Sequence, residues 1–388
     1  MTVAVIGGKL QGVEAVYLSG KAGYRTVLVD KNPMNPARHM CDTYIAGDVC
    51  KDRDWLDAIA DVDLVLPTLE AEPALSSIRR SAESRGIPVA FDFASYELTS
   101  SKLMSNRLFN SLNLPYPRLW PHSRFPVIVK PDRSSGSRGI RVVEDAQSLE
   151  QTISSAEMAQ QYVVQEFVKG NCYSLEVIGA PDRYRTFQVT DLHFDESMDC
   201  KRVSAPTDLE EPLVAELRRM TVSIAEALEL RGIMDVEVIR DAGVLKLLEI
   251  DARLPSQTPM AVFWSSGINL VEQLVSLQES SDRASNAGSP GCGKCEAVLL
   301  EHVRVHGNRM EVLGEHVMGD VGPLVVQPGF FGAKEAITNY PGVESRWAAT
   351  IINTGPSLSD AWSCRNTVIE RIMRDHGIEQ FTDGEYRA

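Results

Sequence analysis

The chain has 388 residues, of which 44% are hydrophobic and 24% are charged. This length exceeds the ~250 to 300 residues over which a single hydrophobic core usually grows, so we expect two or three domains. The formal net charge of −14 argues against a nucleic-acid partner, because affinity for a phosphate backbone comes from an excess of Lys and Arg.

The chain opens on a predicted strand rather than on a targeting segment. Met1-Thr2 leads directly into the apolar residues 3–6, without a basic region or a small-residue cleavage site, so we expect a cytoplasmic protein. No apolar run approaches the ~18 residues that span a bilayer, so we expect no membrane partner. The 7 cysteines are expected to be reduced, and Cys292-Gly-Lys-Cys295 lacks the second ligand pair of a zinc site. We interpret that motif as two incidental thiols.

The first domain is predicted over residues 1–95. Short β-rich runs at residues 3–6, 26–30, 64–66 and 88–91 alternate with helical patterns, which is typical of a parallel, doubly wound sheet. The first helix is expected over residues 13–22 and should end at Gly23. We interpret this domain as Rossmann-like.

The loop after the first strand has an ambiguous glycine pattern, Gly7-Gly-Lys-Leu-Gln-Gly12. A dinucleotide fingerprint would need glycine where Lys9 stands, although Asp30 resembles its ribose-binding acid. Three interpretations remain: NAD binding, which we rank last, a tight turn without a ligand, and a helix N-terminus that receives a carboxylate or phosphate. Asp30 and Gln11 are our candidates for nucleotide contacts here.

The second domain is predicted over residues 96–172. A strand at 127–130, a Ser/Gly loop at 134–139 and a strand at 140–143 give the layout of a flap that covers phosphates. Lys130, with the backbone of Ser135, Gly136 and Ser137, would hold polyphosphate oxygens. The alternative is an exposed lysine beside a hairpin turn, with Lys102 as an ordinary surface residue. A helix at 147–154 and a strand at 162–168 complete this domain.

The third domain is predicted over residues 173–388. It should contain a strand at 174–178, an amphipathic helix at 213–230, and two strands at 234–240 and 245–250. The short turn at 241–243 makes these last two strands an antiparallel hairpin. A polar loop at 279–294, a strand near 297–303 and a helix near 358–374 follow.

This hairpin carries three carboxylates that indicate a metal site. Glu249 and Asp251 are two residues apart on one strand and share a face, and the hairpin brings Glu237 beside them. Such hard oxygen ligands suit Mg²⁺ completed by water and nucleotide phosphates. Asp235 is a reserve ligand. The alternative is a solvated outer face, which the otherwise apolar hairpin disfavours.

These motifs, taken in order, resemble the ATP-grasp superfamily. The resemblance implies an α/β fold, α+β in its catalytic part, with a Rossmann-like N-terminal domain before a two-lobed ATP-grasp fold. It also implies ATP and Mg²⁺ as cofactors, with Lys102 and Lys130 on the phosphates and Glu237, Glu249 and Asp251 on the metal. The adenine would lie against Gln165, Glu166, Phe167 and Val168.

Longer segments resemble the 3-methylornithine–lysine ligases of pyrrolysine biosynthesis; they are residues 7–12, 173–177, 193–200, 232–237, 249–259 and 265–270. This resemblance implies an isopeptide bond between the carboxylate of (3R)-3-methyl-D-ornithine and the ε-amine of L-lysine. Around the ornithine substrate it implies Ser174, Leu175 and Glu176, with Arg253, Pro255, Ser256, Gln257 and Thr258 at the carboxylate. Leu10 and Glu70 would meet lysine. Asn171 stands where the family commonly has a ribose-binding glutamate.

The expected chemistry passes through an acyl phosphate, with Arg253 as the catalytic residue that orients the carboxylate and stabilises the oxyanion. One alternative is another ATP-grasp ligase, such as a dipeptide or D-alanine-type synthetase. A non-catalytic nucleotide-binding protein or an NAD-dependent dehydrogenase is the alternative from another class. A homodimer is compatible with the sequence.

Overall fold

The structure is a computed structural model that describes residues 1–52, 54–154, 161–279, 296–342 and 346–384. The described residues form two compact units. Unit 1 contains those of Met1–Phe91, His193–Thr207 and Arg253–Tyr386, and unit 2 contains those of Asp92–Leu192 and Asp208–Ala252. The division into three domains stays a prediction. The Cys292–Cys295 motif and most of the predicted loop at 279–294 lie outside the described residues.

Unit 1 begins with a parallel sheet in the strand order β3-β2-β1-β4. Its strands are β1 Thr2–Ile6, β2 Arg25–Asp30, β3 Thr43–Ala46 and β4 Leu64–Pro67, and its helices are α1 Leu10–Lys21, α2 Asp54–Ala58 and α3 Glu72–Arg85. The predicted parallel sheet is therefore confirmed. Strand β3 was not predicted, and the strand predicted at 88–91 is reduced to one parallel bridge between Val65 and Val89.

Unit 2 contains an antiparallel three-stranded sheet in the order β6-β5-β7. Its elements in chain order are α4 Phe93–Thr99, α5 Lys102–Ser111, β5 Val127–Pro131, β6 Arg141–Val143, α6 Ala146–Ser154 and β7 Tyr162–Glu166. The strand-loop-strand layout predicted around residues 134–139 is confirmed, because β5 and β6 are antiparallel partners on either side of that loop.

The second sheet of unit 2 runs in the order β13-β12-β8-β10, with β9 also paired to β8. The elements are β8 Cys172–Ala180, β9 Arg183–Thr186, β10 Thr190–Phe194, α7 Glu211–Ala227, β12 Gly232–Asp241 and β13 Val244–Asp251. Helix α7 buries Leu217 and Ile224 in the same cluster as Leu175, Val236 and Leu247, so one face of this sheet is the core of unit 2. The predicted antiparallel hairpin of β12 and β13 is confirmed.

The rest of unit 1 is a sheet in the order β11-β14-β18-β17-β16, with β15 paired to β14 and β19 to β15. Its strands are β11 Cys200–Ala205, β14 Ala297–His306, β15 Arg309–Val312, β16 Val325–Pro328, β17 Glu335–Thr338, β18 Arg346–Gly355 and β19 Gln380–Thr382. Its helices are α8 Thr258–Ser266, α9 Leu270–Glu279, α10 His316–Gly319 and α11 Leu358–His376. Across the described ranges, every helix is too short or too polar to cross a membrane.

Candidate active site

The hairpin of unit 2 sets four carboxylates in two cross-strand pairs. Glu237 on β12 lies opposite Glu249 on β13, and Asp235 lies opposite Asp251. Residues directly opposite one another on antiparallel strands have side chains on the same face. The three predicted metal ligands and the reserve residue therefore share one face of the sheet.

A β-bulge at Leu248 produces this arrangement. Val238 pairs with Leu247, but the next pair is Glu237 with Glu249, so Leu248 is the extra residue on β13. Side chains alternate between faces along a strand, and strict alternation would have placed Glu249 on the same side as the fully buried Leu247. A one-residue insertion reverses this phase. The bulge thus turns Glu249 and Asp251 away from the apolar core.

The neighbouring strand β8 extends the same polar face. Ser174 lies opposite Glu237, and Glu176 lies opposite Asp235. Both side chains are fully buried, although each is expected to contact a substrate. Leu175 is on the other face, within the hydrophobic core of unit 2. Any contact of Leu175 with a substrate would use its backbone rather than its side chain.

Glu237 is the carboxylate of this cluster that resists ionisation. Burial raises the pKa of Glu237 to about 8, and the neighbouring charges of Glu249 and Asp251 add to this effect, while Lys130 and Lys102 oppose it. As the side chains stand, the described ranges hold no group of three His, Cys, Asp or Glu residues placed to bind a metal ion. The donor chemistry nevertheless fits Mg²⁺, since a divalent cation would offset the repulsion among carboxylates.

Two buried lysines of unit 2 are electrostatically coupled to these carboxylates. Lys102 and Lys130 each expose only 8% of their surface, so the interpretation of either as an ordinary surface lysine is wrong. Lys102 Nζ donates to Glu249 Oε1 at 2.8 Å and to the Ser134 carbonyl at 2.6 Å. Burial opposes the charge of Lys102, but Glu249, Asp251 and Glu237 together raise its pKa.

Lys130 is also buried, but its pKa is lowered rather than raised. Burial lowers its pKa, and the nearby ammonium of Lys102 acts in the same direction, while Glu249 and Glu237 oppose both effects. A buried ammonium with a lowered pKa gains from a nearby anion. Polyphosphate oxygens are anions of the required kind, so the setting of Lys130 suits the predicted phosphate contact.

Asp132 positions the two lysines, and the sequence analysis missed it. Its carboxylate accepts the backbone N–H of Leu103 at 2.8 Å and the hydroxyl of Ser101 at 2.9 Å. Asp132 follows β5, whereas Ser101 and Leu103 belong to the start of α5. Because Lys130 is on β5 and Lys102 begins α5, this buried contact fixes one lysine relative to the other.

The Ser/Gly loop connects β5 to β6 beside Lys130. Gly136 and Ser137 have φ angles of 60° and 54°, a left-handed conformation that glycine adopts readily and serine rarely. A Cβ atom at Gly139 would lie 2.9 Å from Cγ of Pro131, so close packing also requires that glycine. The role of Ser135, Gly136 and Ser137 at the phosphates stays a prediction.

The segment expected at adenine, residues 165–168, forms backbone hydrogen bonds with other residues of unit 2. The backbone N–H of Glu166 donates to Arg118 at 2.8 Å, and that of Phe167 donates to Pro126 at 3.1 Å. An adenine edge would have to use other backbone groups between Gln165 and Val168. The carboxylate of Glu166 is bonded to Lys246 Nζ at 2.5 Å.

In unit 1, Asp30 and Gln11 make internal contacts. The two Asp30 oxygens accept backbone N–H groups from Gly8 at 2.6 Å and from Asn32 at 2.7 Å. Gln11 Nε2 donates to Glu70 Oε1 at 2.9 Å. These bonds hold the glycine-rich loop and the first turn of α1, and the assignment of Asp30 and Gln11 to the nucleotide stays a prediction.

The glycines of this loop have a packing role of their own. A Cβ atom at Gly8 would lie 2.1 Å from Oδ1 of Asn35, and one at Gly12 would lie 2.1 Å from the carbonyl oxygen of Gly7. Such distances are far below van der Waals contact. The tight-turn interpretation therefore accounts for these glycines without a dinucleotide.

Arg253 is tied to Glu70 within unit 1. Its Nη2 lies 3.0 Å from Glu70 Oε1, and its side chain is 11% exposed. Glu70 also accepts Gln11, so Arg253 is linked through it to the first turn of α1, where Leu10 is the first residue. The fork of N–H groups on Arg253 suits a carboxylate, which is the role expected for it.

The segment after Arg253 is held by two carboxylates that the sequence analysis did not identify. Ser256 donates its hydroxyl to Glu315 Oε2 at 2.6 Å. Glu14 of α1, fully buried, accepts the backbone N–H groups of Gln257 at 3.0 Å and of Met260 at 2.6 Å. Gln257 has a φ of 71°, which is strained for a residue other than glycine. Glu14 and Glu315 are separated from this segment by long stretches of sequence, so no local pattern indicates them.

Comparison with known proteins gives two kinds of match. Residues 99–257 match the model of the ATP-grasp domain family. A 3-methyl-D-ornithine–L-lysine ligase of Methanosarcina mazei is 37% identical over 339 residues, which cover 84% of this chain and 85% of the relative. The ligase of the same description from Methanosarcina barkeri is 40% identical over 341 residues, covering 84% and 87%.

Solved structures agree on the fold. A biotin carboxylase from Campylobacter jejuni in complex with β,γ-ATP matches with a TM-score of 0.71 at 14% identity, over 95% of this chain and 91% of that one. An ADP complex of N5-carboxyaminoimidazole ribonucleotide synthetase matches with a TM-score of 0.69 at 14% identity, over 97% of both chains. At such low identity these likenesses concern the fold alone, and they confirm the predicted fold class.

Proposed function

The chain belongs to the family of 3-methyl-D-ornithine–L-lysine ligases, and from this premise we propose that it joins the carboxylate of 3-methyl-D-ornithine to the ε-amine of L-lysine. ATP supplies the free energy and leaves as ADP and phosphate. The observation that carries the proposal is the electrostatic coupling of two buried lysines to a face of carboxylates in unit 2. Burial disfavours the charges of Lys130 and Glu237, and Mg-ATP would offset that cost at both.

The lysines and the carboxylates have different roles in binding the nucleotide. Lys102 and Lys130 bind phosphate oxygens and offset the charge that spreads over the transferring γ-phosphoryl group. Glu237, Glu249 and Asp251 would hold magnesium, which would neutralise phosphate charge. Lys102 Nζ donates a hydrogen bond to Glu249 Oε1. We propose that it exchanges this carboxylate for a phosphate oxygen when ATP arrives.

Activation of the carboxylate makes a leaving group. A carboxylate oxygen forms a bond to the γ-phosphorus while the bond from that phosphorus to the bridging oxygen of ADP breaks. Arg253 orients the carboxylate with its fork of N–H donors, and Ser174 and Glu176 bind the polar groups of the ornithine substrate. The Ser/Gly loop covers the phosphates and excludes water, which would otherwise hydrolyse the acyl phosphate.

Ligation then forms the C–N bond and releases phosphate. The ε-ammonium of lysine has an ordinary pKa of about 10.4, so it must lose a proton before its nitrogen can attack. Arg253 stabilises the oxyanion that develops on the attacked carbonyl.

The experiment that tests this function measures ADP release with Mg-ATP, L-lysine and 3-methyl-D-ornithine or D-ornithine, each omitted in turn. Mass spectrometry of the products accompanies each assay. We expect ADP and a water-loss adduct of the two amino acids only in the complete mixture. ADP release that is indifferent to the amino acids would reject the assignment, and an adduct with another amine from a panel would indicate a different ligase of the same fold.

A further inference from the structure

Unit 1 holds a carboxylate that the reaction above does not use. Glu315 precedes α10 in the C-terminal part of the chain, and its Oε2 accepts the hydroxyl of Ser256 at 2.6 Å. The nearby cation is engaged elsewhere, since Arg253 pairs with Glu70 at 3.0 Å. Glu315 is thus a carboxylate whose neighbouring arginine has another partner.

The surroundings of Glu315 make that charge costly. Burial raises its pKa and the carboxylate of Asp199 acts in the same direction, while hydrogen bonds from Ser256 and Gln257 and the charge of Arg253 oppose them. The net pKa is above its ordinary value. A cation that docked against Glu315 would remove this cost.

Two buried oxygen acceptors adjoin Ser256 in sequence. Gln257 and Thr258 are each only 5% exposed. Among the described residues, neither Gln257 Oε1 nor Thr258 Oγ1 has a hydrogen-bond partner. Buried polar atoms are nearly always paired, so each of these unpaired acceptors is available to the donor of a ligand. The side chain of Gln257 also hydrogen-bonds Glu315, which joins this residue to the carboxylate.

The backbone around these acceptors is held in an unfavourable conformation. Gln257 has φ 71° and ψ −54°, and the buried Glu14 carboxylate fixes it through the backbone N–H at 3.0 Å. Strain of this kind persists only where the surroundings impose it, and it concentrates at binding sites.

We propose that Glu315, with the Gln257 and Thr258 oxygens, forms an ammonium subsite for the lysine substrate. This reassigns Gln257 and Thr258 from the ornithine carboxylate, where the family resemblance put them, because their unpaired acceptors suit an ammonium. The inference rests on the proposed function. An ammonium has three N–H donors and no acceptor, so a carboxylate and two neutral oxygens satisfy it. Lysine brings two ammonium groups to the enzyme. The other carboxylate of unit 1 expected near lysine, Glu70, is already paired with Arg253, so Glu315 supplies the unmatched negative charge.

The test compares ligand affinities of the wild-type protein and Glu315→Gln by calorimetry. The ligands are L-lysine, L-norleucine, which lacks the ε-amine, and 6-aminohexanoate, which lacks the α-amine. We expect the Kd for lysine to rise roughly 10- to 100-fold, as for the loss of a hydrogen bond to a charged group. The analogue that lacks the recognised amine should bind both proteins equally. D-Ornithine and Mg-ADP should bind unchanged.

Glu311→Gln is the matched control, because Glu311 is a carboxylate of the same unit paired with Arg304. If Glu315→Gln does not fold, Glu315→Asp keeps the charge on a shorter side chain and should weaken lysine selectively. Unchanged lysine affinity, or weakened D-ornithine affinity instead, would overturn the inference. Absence of ligation by the wild-type protein would reject the proposed function, whereas intact wild-type ligation with unchanged lysine affinity in the variant rejects only the subsite.

Discussion

The carboxylate of Glu249 pairs with Lys102 and is also a proposed magnesium ligand, and both roles use the same oxygen atoms. Its Oε1 accepts a hydrogen bond from Lys102 Nζ at 2.8 Å. The carboxylate of Glu249 raises the pKa of the buried Lys102. Glu237, which lies opposite Glu249, has a pKa that burial raises to about 8.

Substitution of Glu249 by Gln should remove both functions while preserving the shape of the side chain. We expect the rate of ADP formation to fall by about two orders of magnitude or more. The substitution removes the negative charge that pairs with Lys102 and that is proposed to bind magnesium. Glu211→Gln makes the same chemical change at the start of α7, where the side chain is 80% exposed, and should leave the rate unaltered. A Glu249→Gln enzyme with nearly normal turnover would remove Glu249 from the metal site.

At the scale of elements, α1 connects two parts of unit 1. Its residue Glu14 accepts two backbone N–H groups at the start of α8, and its residue Gln11 bonds Glu70, the partner of Arg253. Helix N-termini carry unpaired N–H groups and a partial positive charge, so a buried carboxylate is an effective cap there. Helix α1 thus helps to position both Arg253 and the segment expected at the substrate carboxylate.

Glu14→Gln should loosen this cap, because the amide loses the charge and presents a donor to backbone donors. We expect a loss of about 1–3 kcal/mol in the free energy of unfolding, followed through the fluorescence of Trp264 on α8. The KM for the ornithine substrate should rise more than the KM for ATP. Glu83→Gln on α3, with a side chain 63% exposed, serves as the control. Equal stability of the Glu14 variant and the control would show that the cap contributes nothing.

Periodicity predicted the elements better than the contacts between them. The hairpin of β12 and β13, the parallel strands of unit 1 and the loop between β5 and β6 all follow from local patterns of apolar and turn residues. Strand β3 was missed because its residues, Thr43–Ala46, are only partly buried and form no apolar run, whereas the equally short β4 is apolar and fully buried. The residues predicted as strand at 88–91 retain a single bridge.

The site shows the same limit. The hairpin alone predicted that Glu237 lies beside Glu249, but not the bulge at Leu248 that sets their pairing. Asp132, Glu14 and Glu315 act on segments that are distant in sequence, and a single sequence does not encode such contacts as a pattern. Resemblance identified the residues expected to touch ligands, not those that position them.

At the scale of the whole molecule, the net charge is negative, but both units bury positively charged side chains. The net charge is −14, yet unit 2 buries two lysines where phosphate is expected. Unit 1 buries another cationic set, in which Lys201, Arg202 and Arg365 meet the carboxylates of Glu301 and Asp383. That second set is internally paired and lies outside the proposed chemistry. The lysines of unit 2 are therefore the favoured place for an anionic ligand.

The two units should respond to different ligands. Apart from Asp30 and Gln11, the residues expected at ATP and magnesium belong to unit 2, whereas Leu10, Glu70 and Glu315 belong to unit 1. A bound ligand stabilises the state that binds it by RT ln(1 + [L]/Kd), about 2.7 kcal/mol at 100 times Kd. That stabilisation suppresses local opening around the contacts it makes.

Hydrogen exchange should resolve this division. With Mg-ADP we expect slower exchange in β5, β7, β12 and β13, and ADP without magnesium should protect β12 and β13 less. With L-lysine we expect slower exchange at residues 10–14, 253–260 and 313–319 instead. Glu315→Gln should abolish the lysine-dependent protection at 313–319 and leave the Mg-ADP pattern intact. Lysine-dependent protection confined to unit 2 would contradict this placement, because Glu70 and Glu315 would then have no part in binding lysine.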